Sequence, residues 1–344
     1  ENQYILFFRS PENMSRFDGI SAASTRLIRG KNRFFWDQVQ IPLACRREKL
    51  DVLFHPKFTV PLLAPCKTIM TVHGADWFIP EQAQYYPWWD VAYIRAMMPL
   101  YFRKASAVIS VSDLTTENFQ NALILPRGKL HTVYFAPARH FKRVTDRRVL
   151  DDVRARYNLP ERFILTLTKR QGDKRKNLGT LVEAYAKYHA RTAYPASLII
   201  GGKDCHLYRD ELQIPGDRHG KDIHFPGWIP QEDLPAIYTL ADLYLYPSNL
   251  EAFPIPLTEA MACGTPIVTS NVNGLEEIAD DAAVLIDPND LDGIAQAIDR
   301  VLASPELQAD LKEKGLARAE LFSWDRCARM TLDIIESVAR DGRS

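Results

Sequence analysis

The sequence predicts an α/β chain of two doubly wound domains, each on a parallel sheet, facing one another across a cleft. Three observations lead there. The 344 residues suffice for about two domains. Short apolar, β-branched runs alternate with stretches of helical period along the chain, the signature of parallel α/β architecture. Some runs, such as Ala196-Ser197-Leu198-Ile199-Ile200, are almost wholly apolar, which suits strands covered on both faces.

In the first half, strands are expected over 4–8, 52–55, 68–72, 107–111 and 130–133. In the second they are expected over 163–167, 197–201, 223–225, 243–246, 266–269 and 283–286. Helical period runs through 178–189, 234–241, 291–302, 305–321 and 324–340. The aromatic segment 77–102 carries Trp89, Tyr93, Met97, Leu100 and Tyr101 near helical spacing, which reads as a core stripe, with an acceptor- or membrane-facing surface as the alternative. The polar, basic segment 136–150 is the expected connection. It divides the chain into a first domain, 1–142, and a second, 143–323, with the tail 324–344 completing the first.

Composition is that of an ordinary globular protein. No apolar run approaches the ~18–20 residues of a membrane span. The five cysteines are scattered, without a C-x-x-C pair, which fits reduced thiols and argues against a disulfide framework or zinc site. The opening ENQYILFFRS has no basic leader region, and the expected location is cytoplasmic. Net charge is zero, yet residues 1–150 hold 21 lysines and arginines against 12 acids, an excess of nine positive charges that the remainder balances. Such charges form either a solvated face or a surface for an anionic substrate or membrane.

Two motifs carry the chemistry. Glu251 and Glu259 lie eight residues apart in SNLEAFPIPLTEAMACGTP. Pro254 and Pro256 place Glu251 in a loop and open a helix near Pro256, with Glu259 in or next to its first turn; Gly264 before Thr265-Pro266 ends it. Acids near a helix start are favoured by the dipole alone, so capping competes with binding. The second motif is Lys169-Arg170-Gln171-Gly172-Asp173-Lys174-Arg175-Lys176, five cations in eight residues between a strand end and a helix start. Helix N–H groups and guanidinium groups make this an anion site; a solvated loop is the alternative. A phosphate-binding loop and a hydroxyl-binding acid on one sheet together describe a nucleotide-diphosphate sugar. His73, at a strand's carboxyl end before Gly74, is either a structural histidine or a cleft residue. Asp290 and Asp292 are better explained by helix capping than by a metal.

At these residues the chain resembles the family 4 retaining glycosyltransferases, which have the GT-B fold. The resemblance runs from about Tyr4 to Arg340. It is carried by the block from Glu251 to Pro288, similar to the family's E-x7-E motif, and by Arg175-Lys176-Asn177, Thr71-Val72-His73-Gly74, Ser110-Val111-Ser112 and Gly227-Trp228-Ile229-Pro230. It implies that Glu251 lies at the donor sugar and α-phosphate, Glu259 accepts from the ribose, and Arg170 and Lys176 hold the diphosphate. It further implies that His73 points at the transferred sugar and that the amides of Phe253 and Ile255 face sugar or phosphate. The chain departs from the family at Pro254, where glycine is common, and at Lys169, where glycine usually precedes the basic residue. Relative to the family it also begins at a segment that usually follows a first strand and a glycine-rich loop.

The implied function is transfer of a hexose, from a GDP- or UDP-linked donor, to a hydroxyl of a glycan, lipid-linked or small-molecule acceptor, with an α-linkage and without a metal or cofactor. No nucleic-acid partner is expected. Peripheral membrane contact through the basic first half and self-association at an open sheet edge are further expectations, as is weak transfer in the absence of that first strand. The alternatives are a GT-B phosphorylase or epimerase, or a catalytically silent nucleotide-sugar-binding module.

Overall fold

The computed structural model describes residues 2–30, 32–123, 125–126, 128–168, 174–193, 195–214, 216 and 218–340, with the side chains of Arg218 and His219 excepted. Every strand pairing is parallel. Strands β1 (Tyr4–Phe8) and β2 (Ala23–Leu27) form a two-stranded ribbon. Strands β3 (Val52–His55), β4 (Lys67–Val72), β5 (Ala107–Ser110) and β6 (Leu130–Thr132) form a four-stranded sheet in that order. The second half holds β7 (Phe163–Leu167), β8 (Ser197–Gly201), β9 (Ile223–His224), β10 (Leu243–Tyr246), β11 (Ile267–Ser270) and β12 (Val284–Ile286), ordered β12-β11-β10-β7-β8-β9.

That order places the site. From β7 the chain winds outward to β9, returns to lay β10 against the other edge of β7, and winds away to β12. The winding reverses between β7 and β10, and in such sheets ligands bind at the carboxyl ends on either side of the reversal. The cation-rich loop follows β7 and the Glu251 loop follows β10, so the two charged motifs leave adjacent strands.

Both faces of the second sheet are covered. Leu198, Ile200, Leu243 and Leu245 pack under the helices Leu178–Arg191 and Leu291–Ala303, while Leu165, Ile199, Tyr244 and Tyr246 pack against Leu234–Leu240 and Ile255–Ala262. This two-sided burial is why these strands read as continuous apolar runs. The helix Trp324–Arg340 lays Cys327, Ile334, Ile335 and Val338 on Ile69, Ala107 and Ile109 of the first sheet, and Lys67 Nζ donates to the Val338 carbonyl at 3.1 Å.

Two readings of the sequence are corrected. Strand β2 was not expected: Ala-Ser-Thr-Arg-Leu has no apolar alternation, and the ribbon it forms is only half-buried. In the helix Trp88–Lys104 the buried side chains are Ile94, Met98, Tyr101 and Phe102. Of the anticipated core stripe, Trp89, Tyr93 and Leu100 instead face solvent, at 62%, 42% and 43% exposure. The helix is apolar nearly all round, so its period alone does not choose the inward face.

Candidate active site

Glu251 sits in the loop after β10, and three groups converge on its Oε1. The Lys176 ammonium makes an ion pair with it, Tyr246 donates its hydroxyl at 2.8 Å and Ser248 Oγ donates at 3.2 Å. Lys176 also contacts the Tyr246 hydroxyl, its ammonium 4.7 Å from the ring centroid. Tyr246 is the last residue of β10 and is stacked on Tyr244. Lys176 ends the short helical turn Lys174–Lys176, and the helix Leu178–Arg191 opens two residues later behind Asn177, a left-handed residue whose side-chain Nδ2 donates to the Pro288 carbonyl at 2.7 Å. A strand end and a helix start thus bring an acid and a base together.

The Glu251 backbone is fixed by Gly274, whose N–H donates to the Glu251 carbonyl at 2.9 Å. A Cβ on Gly274 would lie 2.3 Å from the Ala252 carbonyl oxygen, so only glycine fits. Gly74, at φ +152°, approaches from the first half: a Cβ there would stand 2.6 Å from Asp76 Oδ1 and 3.2 Å from the Ala252 Cβ. The two halves therefore meet beside Glu251.

His73 follows the last residue of β4. Its Nε2 lies 3.3 Å from the Pro56 carbonyl, and its ring packs on Phe58 and Phe135. Phe135 in turn contacts Phe253 of the second half. Burial lowers the His73 pKa, so the imidazole is neutral near pH 7. With Nε2–H donated to Pro56, Nδ1 is left as an acceptor suited to a hydroxyl.

Glu259 directly follows the first turn of Ile255–Ala262, next to that turn as expected, because the helix opens at Ile255 with Pro256 in its first turn. It therefore caps nothing. Its pKa is pushed up to about 7 by burial, opposed by the Tyr238 hydroxyl, which donates to Oε2 at 3.3 Å. A half-buried carboxyl with one long hydrogen bond has acceptor capacity to spare.

The amide of Ile255 does not stand free: it donates to the Phe253 carbonyl at 3.1 Å across Pro254, whose φ of −83° and ψ of 85° make an inverse γ-turn. The Phe253 ring packs on Tyr134, Phe135 and Phe322. Arg170, assigned to the diphosphate, lies outside the described residues.

Sequence reasoning missed the bridges that hold the halves in register. Arg175 Nη1 donates to the Tyr86 hydroxyl at 3.2 Å, which donates to Asp76 Oδ2 at 2.6 Å; burial raises the Asp76 pKa. Gln82 bonds Asn273. The Glu277 carboxylate accepts the backbone N–H groups of Asp113 and Leu114, at 2.8 and 2.9 Å, at the start of the helix Asp113–Ala122. Asp76, three residues past His73, was the one visible signal; the others are distant in sequence.

Comparisons with known proteins agree with this geometry. Residues 5–135 match the family model Glycosyltransferase Family 4, and residues 151–318 match Glycosyl transferases group 1. O-antigen chain mannosyltransferase B of Escherichia coli is 30% identical over 297 residues, covering 83% of this chain and 74% of that protein. Among solved structures, sucrose-phosphate synthase of Thermosynechococcus elongatus aligns at TM-score 0.73 and 21% identity, covering 98% of this chain and 99% of its own. Anabaena HepE in complex with UDP and glucose aligns at TM-score 0.75 and 16% identity, covering 98% and 100%. Two family models matched in succession, a relative similar over most of both chains and the shared two-sheet architecture establish that this chain belongs to the family 4 glycosyltransferases of the GT-B fold.

Proposed function

We propose that the chain transfers a hexose from a nucleotide-diphosphate sugar, GDP- or UDP-linked, to a hydroxyl of a glycan acceptor, retaining the anomeric configuration and giving an α-linkage. The observation that carries this is the contact of Lys176 with Glu251 at the switch point of the second sheet, with His73 at the adjoining edge of the first. Two names from the comparisons support it: one relative is an O-antigen chain mannosyltransferase, and one fold neighbour was solved with UDP and glucose. Similarity to transferases through both halves also favours an enzyme over a silent binding module.

The hardest charge to stabilise is the one gathering on the leaving diphosphate. Lys176 and the N-terminus of the helix Leu178–Arg191 supply preorganised positive potential there, and removing one such donor typically costs about 10²–10³ in rate. We assign Arg170 to the same task. Glu251, oriented by Tyr246 and Ser248, receives donor hydroxyls, and the neutral His73 accepts another through Nδ1. Glu259 takes the ribose hydroxyls, and the Phe253 amide faces the donor. In this reading Lys176 and Arg170 take the part a metal would otherwise play at the diphosphate.

Calorimetry with GDP and UDP tests the donor half of this reading, and product analysis with the matching nucleotide sugars tests the transfer. Binding of neither nucleotide would remove it.

A further inference from the structure

Strand β1 runs into Arg9 and Ser10, and β3 runs through Pro56 into Lys57. These two strand ends and the start of the helical segment at Arg33 enclose a cavity of about 320 Å³. Arg9, Arg33 and Lys57 line it, with the neutral donors Ser10 and Asn13 beside them. One acid lines it too, Asp37, and its carboxylate is already used: it accepts Thr59 Oγ1 at 2.6 Å and lies 3.1 Å from His55 Nε2. Lys57 feels the Asp37 charge, but among the described residues none of the three cations forms an ion pair. Three positive charges from three separate segments thus share one concavity with one engaged acid. Like charges gathered in a recess repel unless an anion joins them.

The cavity's place matters as much as its charge. It lies at the carboxyl ends of β1 and β3, and His73 stands at the carboxyl end of β4, the strand paired with β3. Pro56, between His55 and Lys57, carries the carbonyl that His73 meets at 3.3 Å. The cavity and the cleft residue are therefore joined through one backbone segment.

We propose that this cavity is an anion subsite for the acceptor, and that the acceptor carries a phosphate group held by Arg9, Arg33 and Lys57 while its hydroxyl enters the cleft beside His73. The assignment rests on the transferase reading above. Guanidinium groups bind phosphate oxygens bidentately and the lysine adds a point charge, so the set suits a doubly charged group better than a carboxylate. The phosphate comes from a sugar phosphate or from the head of a lipid-linked glycan.

The test is a ³¹P NMR titration of the full chain with phenyl phosphate and, separately, with dodecyl phosphate below its micelle concentration. We expect saturable binding, weakened at least tenfold in an Arg9→Gln/Lys57→Gln double variant that melts as the parent does. Lys57→Arg should restore most of the affinity lost in Lys57→Gln, and Lys176→Ala should bind as the parent. Tighter binding of dodecyl phosphate names the lipid-linked source, and equal binding the soluble one; both uphold the subsite. Loss of binding in Lys176→Ala but not in the double variant would move the phosphate to the donor site and overturn the proposal. Absence of binding to the parent would leave three solvated cations and overturn it as well. Failure of the transferase reading would show differently, as no cleavage of any nucleotide sugar while phosphate binding persisted.

Discussion

The Lys176 ammonium pairs with the Glu251 carboxylate, a cation from the loop after β7 against an acid from the loop after β10. Each is about one-fifth exposed, so the pair is only partly desolvated. A donor's phosphate therefore finds Lys176 already oriented, and must share it with Glu251.

The two partners should separate kinetically. Lys176→Ala removes a charge-assisted hydrogen bond to the diphosphate, worth about 1.5–3 kcal/mol, or about one to two decades of affinity. Glu251→Gln should leave nucleoside-diphosphate affinity within about threefold and lower turnover by about 10²-fold, the loss of one transition-state contact. Calorimetry with GDP and UDP, beside rates with the matching sugars, reads both. Equal loss of binding in both variants would mean that Glu251 only positions Lys176.

Glu259 gives a stability test with a definite sign. Its folded pKa of about 7 lies above the usual 4.5, so folding favours the protonated form. Below pH 4.5 the carboxyl is protonated in both states and costs nothing; the penalty grows through pH 7 and is complete above it, at about 3 kcal/mol. Glu259→Gln should therefore raise the melting temperature at pH 8, leave it nearly unchanged at pH 4.5, and weaken nucleotide binding by about tenfold at pH 8. A lower melting temperature at pH 8 would show that the carboxylate is structural.

The solvent-facing stripe of Trp89, Tyr93 and Leu100, with Trp88 beside it, lies on the basic half of the chain. Exposed aromatic side chains on a half of the chain with excess positive charge suit the interface of an anionic bilayer. We expect sedimentation with vesicles of 30% phosphatidylglycerol, reversed by salt and reduced several-fold in a Trp89→Ser/Leu100→Ser variant. Light scattering checks the competing outcome, self-association through the same stripe.

Charge neutralisation by side chains predicts indifference to divalent metals. Transfer rates in EDTA should stay within about twofold of those with magnesium. A loss of tenfold or more, restored by magnesium, would require a metal on the diphosphate.

Much of this fold was legible because its strands are apolar: β7, β8 and β10, buried on both faces, coincide with runs read from the sequence alone, and so do the less buried β1 and β3. Strand β2 was not, because its outward residues are polar and its pairing is with a ribbon rather than a sheet. At the site, the cation cluster and the two acids were visible as motifs, but their adjacency was not. It follows from β10 returning to the side of β7, a non-local pairing that no window of residues contains. The capture of the Ile255 amide by Phe253 depends on where the helix opens around Pro254 and Pro256. The Asp76–Tyr86–Arg175 bridge joins residues 89 positions apart at its second step and could not be anticipated.

Retaining transfer from a nucleotide-diphosphate sugar at the Lys176–Glu251 contact predicts which anomer is released first. Its most direct measurement is ¹H NMR of the hexose released in slow donor hydrolysis, with water as acceptor, from a panel of α-linked GDP and UDP sugars. The α-anomer should appear first, before mutarotation, and its release should fall about 10²-fold in Glu251→Gln. Initial release of the β-anomer, or no cleavage of any donor by the intact chain, would contradict it.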